Sequence, residues 1–346
     1  MSSFRTRANV CLKTVWLALL ALAISSCSQQ ASLNETAYVV PERLKLKNST
    51  AQAARVIGEV KTGERITIMS RLNAEDGTLW VKISAPGVED GWAEARYFVK
   101  EGIVEQTRQI AEQIKGVPAQ AIGKSKATLK LRLTPDRTTE DNVATLLPSG
   151  TNLEIVARER KPRPALPDAK AGGAKDAKEG DENPAVKFDE WFQVRLKDYA
   201  VLPAGWIYGG SIEMEIPAEI VYFVSTGRKI VGWQKLGTVH GDDSRTGDHY
   251  LVAERKVFDA DESVDFDRVK VLAYDPATRN YTTPFREDLL GKFPILLQMD
   301  GQRGTFQLTA LEGKDKQSYK KDYTVEMPER GKVKVTKQGD PATKKK

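Results

Sequence analysis

Few side chains here can do covalent chemistry. The 346 residues include two cysteines and two histidines, so thiolate and imidazole chemistry have little raw material. His240 and His249 stand nine apart in HGDDSRTGDH. One reading of that loop is a divalent-cation site using Asp242, Asp243 and Asp248; the other is a solvated hairpin. The alternating register of a calcium loop is missing, and so is the helical HExxH spacing of a zinc site. We expect no metal and no cofactor. Gly209-Gly210-Ser211 lacks the closing glycine of a nucleophile elbow. No phosphate-cradling loop or dinucleotide fingerprint occurs. Carboxylates are plentiful but scattered through charged segments, so no acid–base pair stands out. We expect no catalytic residue.

Aromatic side chains are better placed to act, by binding. Tyr38, Trp80, Trp92, Tyr97, Trp191, Trp206 and Tyr208 recur in similar local contexts. An indole or phenol has an apolar body and a polar tip, so a row of them can form a groove for a peptide or a glycan. They can equally fill small cores, and the sequence leaves both readings open. Trp233 stands apart from these contexts and is expected to pack a separate domain.

The elements that would carry these aromatics come from a repeat. Leu44 to Met69 (LKLKNSTAQAARVIGEVKTGERITIM) aligns without a gap on Leu131 to Val156 (LRLTPDRTTEDNVATLLPSGTNLEIV), at an offset of 87. Leu44 and Leu46 fall on Leu131 and Leu133, Val60 on Leu147, and Gly63 on Gly150. Farther on, Trp80-Val81-Lys82-Ile83 matches Trp191-Phe192-Gln193-Val194, and Gly91-Trp92 matches Gly205-Trp206. Leu44/Leu46, Ile66/Ile68 and Val81/Ile83 alternate with polar residues, the period of half-buried strands. Short strands joined by tight turns suit a closed or nearly closed sheet.

The ordered set resembles the bacterial SH3-like (SH3b) family, in which a leading L-x-V is followed by V-I-G-x-L-x-x-G-x-x-V-x-V, W-x-x-V and G-W. Val56-Ile57-Gly58-Glu59-Val60, Trp80 to Ile83 and Gly91-Trp92 carry the resemblance. The second copy departs from it, with Ala144-Thr145 in place of Ile-Gly and a long insert. The resemblance implies two small SH3-like β-barrels, over 37–100 and 126–216. SH3b modules often accompany cysteine peptidases of the cell wall, but no free cysteine outside the N-terminal segment is available for that chemistry.

The insert, about Glu159 to Lys187, is Ala, Lys, Pro, Gly, Asp and Glu with almost no large apolar residue. Such a stretch cannot offset its ordering entropy, so disorder over 159–187 is expected. A helix is expected over Ile103 to Ile114, with Ile103, Thr107, Ile110 and Ile114 on one face, in a linker spanning 101–125. Ala218 to Leu236 reads either as a helix around Gly227 or as a strand followed by a short helix. Alternating segments then run His249–Val257, Asp267–Tyr274, Asn280–Phe285, Phe293–Met299, Gly304–Leu311 and Ser318–Val325. They suggest an antiparallel β-meander or partial barrel over 217–337, with a disordered tail at 338–346. The fold class expected is mainly β.

The N-terminus reads as an address. Arg5, Arg7 and Lys13 precede an apolar run of ten, Val15 to Ile24, too short to span a bilayer. Ile24-Ser25-Ser26-Cys27 then resembles the bacterial lipoprotein box. That resemblance implies a signal peptide over 1–26, a lipidated Cys27, and a tether over 27–36. Its acyl chains would hold the protein at a membrane surface. Ser28 after the cysteine resembles the rule for release to the outer membrane in a diderm; in a monoderm the anchor would sit on the outer face of the cell membrane. Removing 1–26 takes the formal charge from +6 to +3. Nothing in that balance calls for nucleic acid. With 40% hydrophobic and 29% charged residues, the composition excludes a polytopic membrane protein.

These features point to a non-enzymatic envelope lipoprotein whose barrels bind peptidoglycan peptide or another envelope protein. A cell-wall hydrolase with carboxylates in the C-terminal domain is the rival, and a purely structural assembly lipoprotein the third reading.

Overall fold

The computed structural model describes residues 34–163, 188–241, 246–257, 263–328 and 332–338. The expected signal segment, Cys27, Asp242, Asp243, most of the insert and nearly all of the tail lie outside these residues. The protein is mainly β. It divides into two compact units, the first ending at Phe98 and the second beginning at Val99. Among the described residues, no helix is long and apolar enough to cross a membrane.

The first unit is one antiparallel sheet built from β1 (Glu35–Val39), β2 (Arg43–Lys47), β3 (Val56–Lys61), β4 (Arg65–Asn73), β5 (Leu79–Ala85) and β6 (Val88–Glu94). A short β7 (Phe98–Lys100) contains the unit boundary. The strand order is β3-β2-β6-β5-β4-β1-β7. Alternation sends Ala37, Val39, Leu44, Leu46, Val60, Ile66, Ile68, Val81 and Ile83 into one core. A single core fed from all these strands requires the sheet to curl on itself.

The second unit begins with α1 (Glu101–Gln113) and then repeats that sheet. Its strands are β8 (Ala121–Ser125), β9 (Leu129–Arg132), β10 (Val143–Leu147), β11 (Asn152–Pro162), β12 (Phe188–Arg195), β13 (Ala204–Tyr208) and β14 (Ile212–Met214). Their order, β10-β9-β13-β12-β11-β8-β14, is the first order with every number raised by seven. The duplication extends to single hydrogen bonds. Gly63 N donates to Val39 O at 2.9 Å, and Gly150 N to Ser125 O at 2.8 Å. Both glycines hold positive φ, 80° and 82°, where a side chain would be strained. Thr62 Oγ1 donates to Val40 O, and Ser149 Oγ to Lys126 O, at 2.9 and 3.0 Å.

Several boundaries differ from those expected. β8 lies inside the segment expected to be linker, because Ala121, Gly123 and Ser125 face inward without being large apolar residues. The gapless alignment is off by two at one strand. Val60 pairs with Leu44 and Leu147 with Leu129, so Leu44 and Leu46 correspond to Leu129 and Leu131. A shift of two keeps every side chain on the same face, so alternation cannot detect it. The insert also starts later. Glu159 to Pro162 belong to β11, where Arg160 lies opposite Glu190 and Lys161 opposite Asp189. Opposite charges across a ladder support pairing that loop-like composition hides. In α1 the buried residues are Val104, Thr107 and Ile110, so Val104 takes the inward place expected of Ile103.

The rest of the second unit is a seven-stranded meander in sequence order. It comprises β15 (Arg228–His240), β16 (Thr246–Lys256), β17 (Phe266–Asp275), β18 (Asn280–Asp300), β19 (Arg303–Glu312), β20 (Gln317–Glu326) and β21 (Lys334–Lys337). The segment from Ala218 reverses one expected order: the short helix α2 (Ala218–Val221) comes first and the long strand follows. Two expected strands are one. β18 runs 21 residues, pairing with β17 through Gly291 and with β19 from Leu290 onward, so it turns the sheet's corner. The sheet curls around Phe266, Val269, Val271, Phe306, Leu308, Tyr323 and Val325; Trp233 is buried on the other face of the sheet, cross-strand from Val252.

Gln120, 1% exposed, ties this meander to the preceding sheet. Its backbone oxygen accepts from Trp233 N at 2.7 Å. Its side-chain amide accepts from Ile295 N at 2.8 Å and donates to Ile295 O at 3.1 Å.

Candidate functional site

The outward face of the first sheet gathers two of the expected aromatics. On β5, Val81 and Ile83 point into the core, so Trp80 and Lys82 point out. On β6, Gly91 and Ala93 point in and Trp92 points out. Gly91 is required there, because a Cβ would stand 2.8 Å from Leu46 Cβ and 3.3 Å from Lys47 O. The register sets out two rows. Leu72, Trp80 and Glu94 are cross-strand neighbours, and so are Ser70, Lys82, Trp92, Lys47 and Val56. The two indoles are thus diagonal neighbours, and both are half-buried. Lys47 Nζ lies 5.4 Å from the Trp80 ring centroid, in cation–π range. Leu72 and Val56, at 45% and 49% exposure, widen the apolar surface.

The same face of the second sheet is closed. Trp191 takes the place of Trp80 but is only 1% exposed. Tyr208 packs edge-on against it at 5.8 Å. The connection from Leu133 to Asn142 folds over both. Arg137 lies 5.9 Å from the Tyr208 ring and donates from Nε to buried Asp189 at 2.7 Å. Arg163 reaches the same carboxylate at 3.1 Å. Arg132, in the place of Lys47, donates to Thr139 O at 2.7 Å and Asn142 Oδ1 at 2.5 Å. Trp191 is therefore a packed side chain and cannot line an open groove, a correction to its expected role. Trp206 and Tyr208 are half-buried parts of the same closed face.

The remaining tyrosines do not join the Trp80–Trp92 face. Tyr38 pairs with Arg65, at the opposite end of β4 from Leu72. Seven residues of strand put about 23 Å between them. Tyr97 packs on the first core, with the Arg96 guanidinium 5.0 Å from its ring. Lys45, Lys47, Lys82 and Leu72 were missed by a search for aromatics. Strand alternation carried the signal, since Lys45 and Lys47 alternate with buried Leu44 and Leu46.

The histidine hairpin forms no metal centre among the described residues. His240 is exposed, whereas His249 is 6% exposed and its Nδ1 accepts from Tyr274 N at 3.0 Å. Asp248 accepts from Lys235 Nζ at 2.8 Å and Thr238 Oγ1 at 2.7 Å. Burial holds the His249 pKa below its ordinary 6.5, against a smaller opposing pull from Asp248. The unfolded chain therefore binds this proton more readily than the folded one. The contribution of His249 to stability is full above pH 6.5 and lost as pH falls below it. Urea midpoints should drop from pH 7 to pH 5 by more in the native chain than in His249→Asn, which keeps an acceptor and does not titrate. Equal drops would contradict this.

A second group of buried charges lies on the outer face of the meander, under residues 222–226. Glu254 is fully buried and pairs with Lys270, which also donates to Phe223 O. Ser225 N and Oγ donate to the same carboxylate at 3.3 Å each. Arg268 reaches Glu254 at 3.7 Å and pairs with Asp288, whose carboxyl its guanidinium holds down at about 2. Arg228 pairs with Asp267. Every member has a partner of opposite charge, the arrangement of a structural network. Ser211 sits in a short turn where its backbone oxygen accepts from Lys126 N.

No protein-family model matches this chain, and no curated protein matches it.

Proposed function

We propose that this chain is a non-enzymatic cell-envelope lipoprotein, anchored through Cys27, whose first SH3-like module binds an envelope polymer or protein on the face around Trp80 and Trp92. The observation that carries the reading is the contrast between two equivalent faces. One copy buries Trp191 completely, while the other leaves its counterpart Trp80 partly exposed, beside lysines that hold no ion pair among the described residues. Large amphipathic side chains displayed together on a rigid sheet suit recognition, since little conformational entropy is lost on binding.

The rival hydrolase would need carboxylates free to act. Among the described residues, Glu254, Asp267, Asp288 and Asp248 are held in ion pairs, which leaves Asp265 and Asp275 among the carboxylates such a reading would use. The test is co-sedimentation of residues 28–346 with purified sacculi and with envelope extract. Trp80→Ala/Trp92→Ala should weaken capture about tenfold or more, the usual effect of removing central aromatics. Undiminished capture by a folded double variant would overturn the assignment of this face.

A further inference from the structure

The closed copy indicates what the open copy takes. Strand register makes Lys45 and Lys47 the counterparts of Lys130 and Arg132, because Leu44 and Leu46 correspond to Leu129 and Leu131. In the second module both cations are met by one carboxylate of its own chain. Glu140 lies 2.5 Å from Lys130 Nζ and 3.3 Å from Arg132 Nη2. Glu140 belongs to the connection that covers the aromatic pair.

In the first module the corresponding connection, residues 48–55, brings no carboxylate, since NSTAQAAR contains no acidic residue. Lys45, Lys47, Lys61 and Lys82 all lie on the outward face of β2, β3 and β5. Three acids share this face: Glu59, cross-strand from Lys45 and 3.6 Å from Arg43, Glu94, 2.7 Å from Arg96, and exposed Asp90 on β6; the lysines and Arg43 outnumber them. The face is thus apolar at Trp80, Trp92 and Leu72 and positive beside them.

From this contrast we infer that the first module binds an acidic peptide segment, one carboxylate of which sits on Lys45 and Lys47 as Glu140 sits on Lys130 and Arg132. The inference rests on the binding role proposed above and gives that role a ligand class. The peptide lies across β2, β6 and β5, with its neighbouring side chains against Trp80 and Trp92. Four lysines around a partly dehydrated surface also steer an anionic partner, so association should be salt-sensitive.

The probe is a synthetic peptide of residues 134–142 (TPDRTTEDN), net −2, set against a neutral version carrying Asp136→Asn, Arg137→Gln, Glu140→Gln and Asp141→Asn. The protein is the mature chain without lipid, and the readout is the indole N–H shifts of Trp80 and Trp92. Millimolar acidic peptide should move these signals and the neutral peptide should not. Lys45→Gln/Lys47→Gln should weaken binding about tenfold. Equal binding of both peptides, no shift with either, or unchanged affinity in the lysine variant would each overturn the inference. Sacculus capture lost in Trp80→Ala/Trp92→Ala but kept in Lys45→Gln/Lys47→Gln would also overturn it, while leaving the aromatic binding role intact.

Discussion

Trp191→Ala should destabilise the second unit by about 3–5 kcal/mol, whereas Trp80→Ala should cost the first unit under about 1 kcal/mol. The residues occupy equivalent positions, each directly before a pair of core-facing strand residues. Only their surroundings differ. Trp191 is 1% exposed, and its loss leaves a void beneath Tyr208 and the Arg137–Asp189 pair. The packed interior recovers only part of such a void, so transfer and cavity penalties add. Trp80 borders solvent, and removing it mainly sacrifices contact with Leu72 and Lys47. Urea denaturation of the two variants, followed by signals from each unit, measures the difference. Similar losses at both sites would mean that the first face is as closed as the second.

Lys270→Met should cost about 3 kcal/mol, and adding Glu254→Leu should recover most of it. The single change strands a fully buried carboxylate. Ser225 and the more distant Arg268 would still face it, which places the loss at the lower end of the usual range. The double change removes both charges and fills similar volume with apolar atoms. The double-mutant cycle checks this directly, because the coupling it isolates should equal the recovery plus the cost of Glu254→Leu alone. A double variant as unstable as the single one would show that residues 222–226 need the ion pair to stay seated on the sheet.

Alternation, turn glycines and the repeat made much of the fold readable from residue order. Leu44/Leu46 and Val81/Ile83 announced strands, and Gly63 and Gly150 announced matching turns. Three things escaped. A two-residue register slip at β9 left the inward pattern unchanged. Small inward residues hid β8. Cross-strand charge pairs hid the end of β11, because opposite charges look like loop until their partner strand is known. The site was half legible. Tryptophan spacing found both aromatic rows, but it could not separate Trp80 from Trp191. Their local sequences are alike, and the difference lies in the Leu133–Asn142 connection, which becomes a lid only once the chain is folded. The lysines drew no notice because lysine on an exposed strand face is ordinary. They gain meaning only from the carboxylate that their counterparts hold.

That same connection fixes the valence of the molecule. Glu140 and Arg137 belong to the same folded chain as the groups they cover, so their effective concentration greatly exceeds that of any dissolved competitor. On the binding role proposed above, a ligand would therefore find one vacant seat per chain, although the chain carries two copies of the module. Duplication here does not bring avidity. If the chain is lipid-anchored as proposed, multivalent grip on a polymer would have to come from many chains side by side, and would then scale with their density on the membrane rather than with anything built into a single molecule.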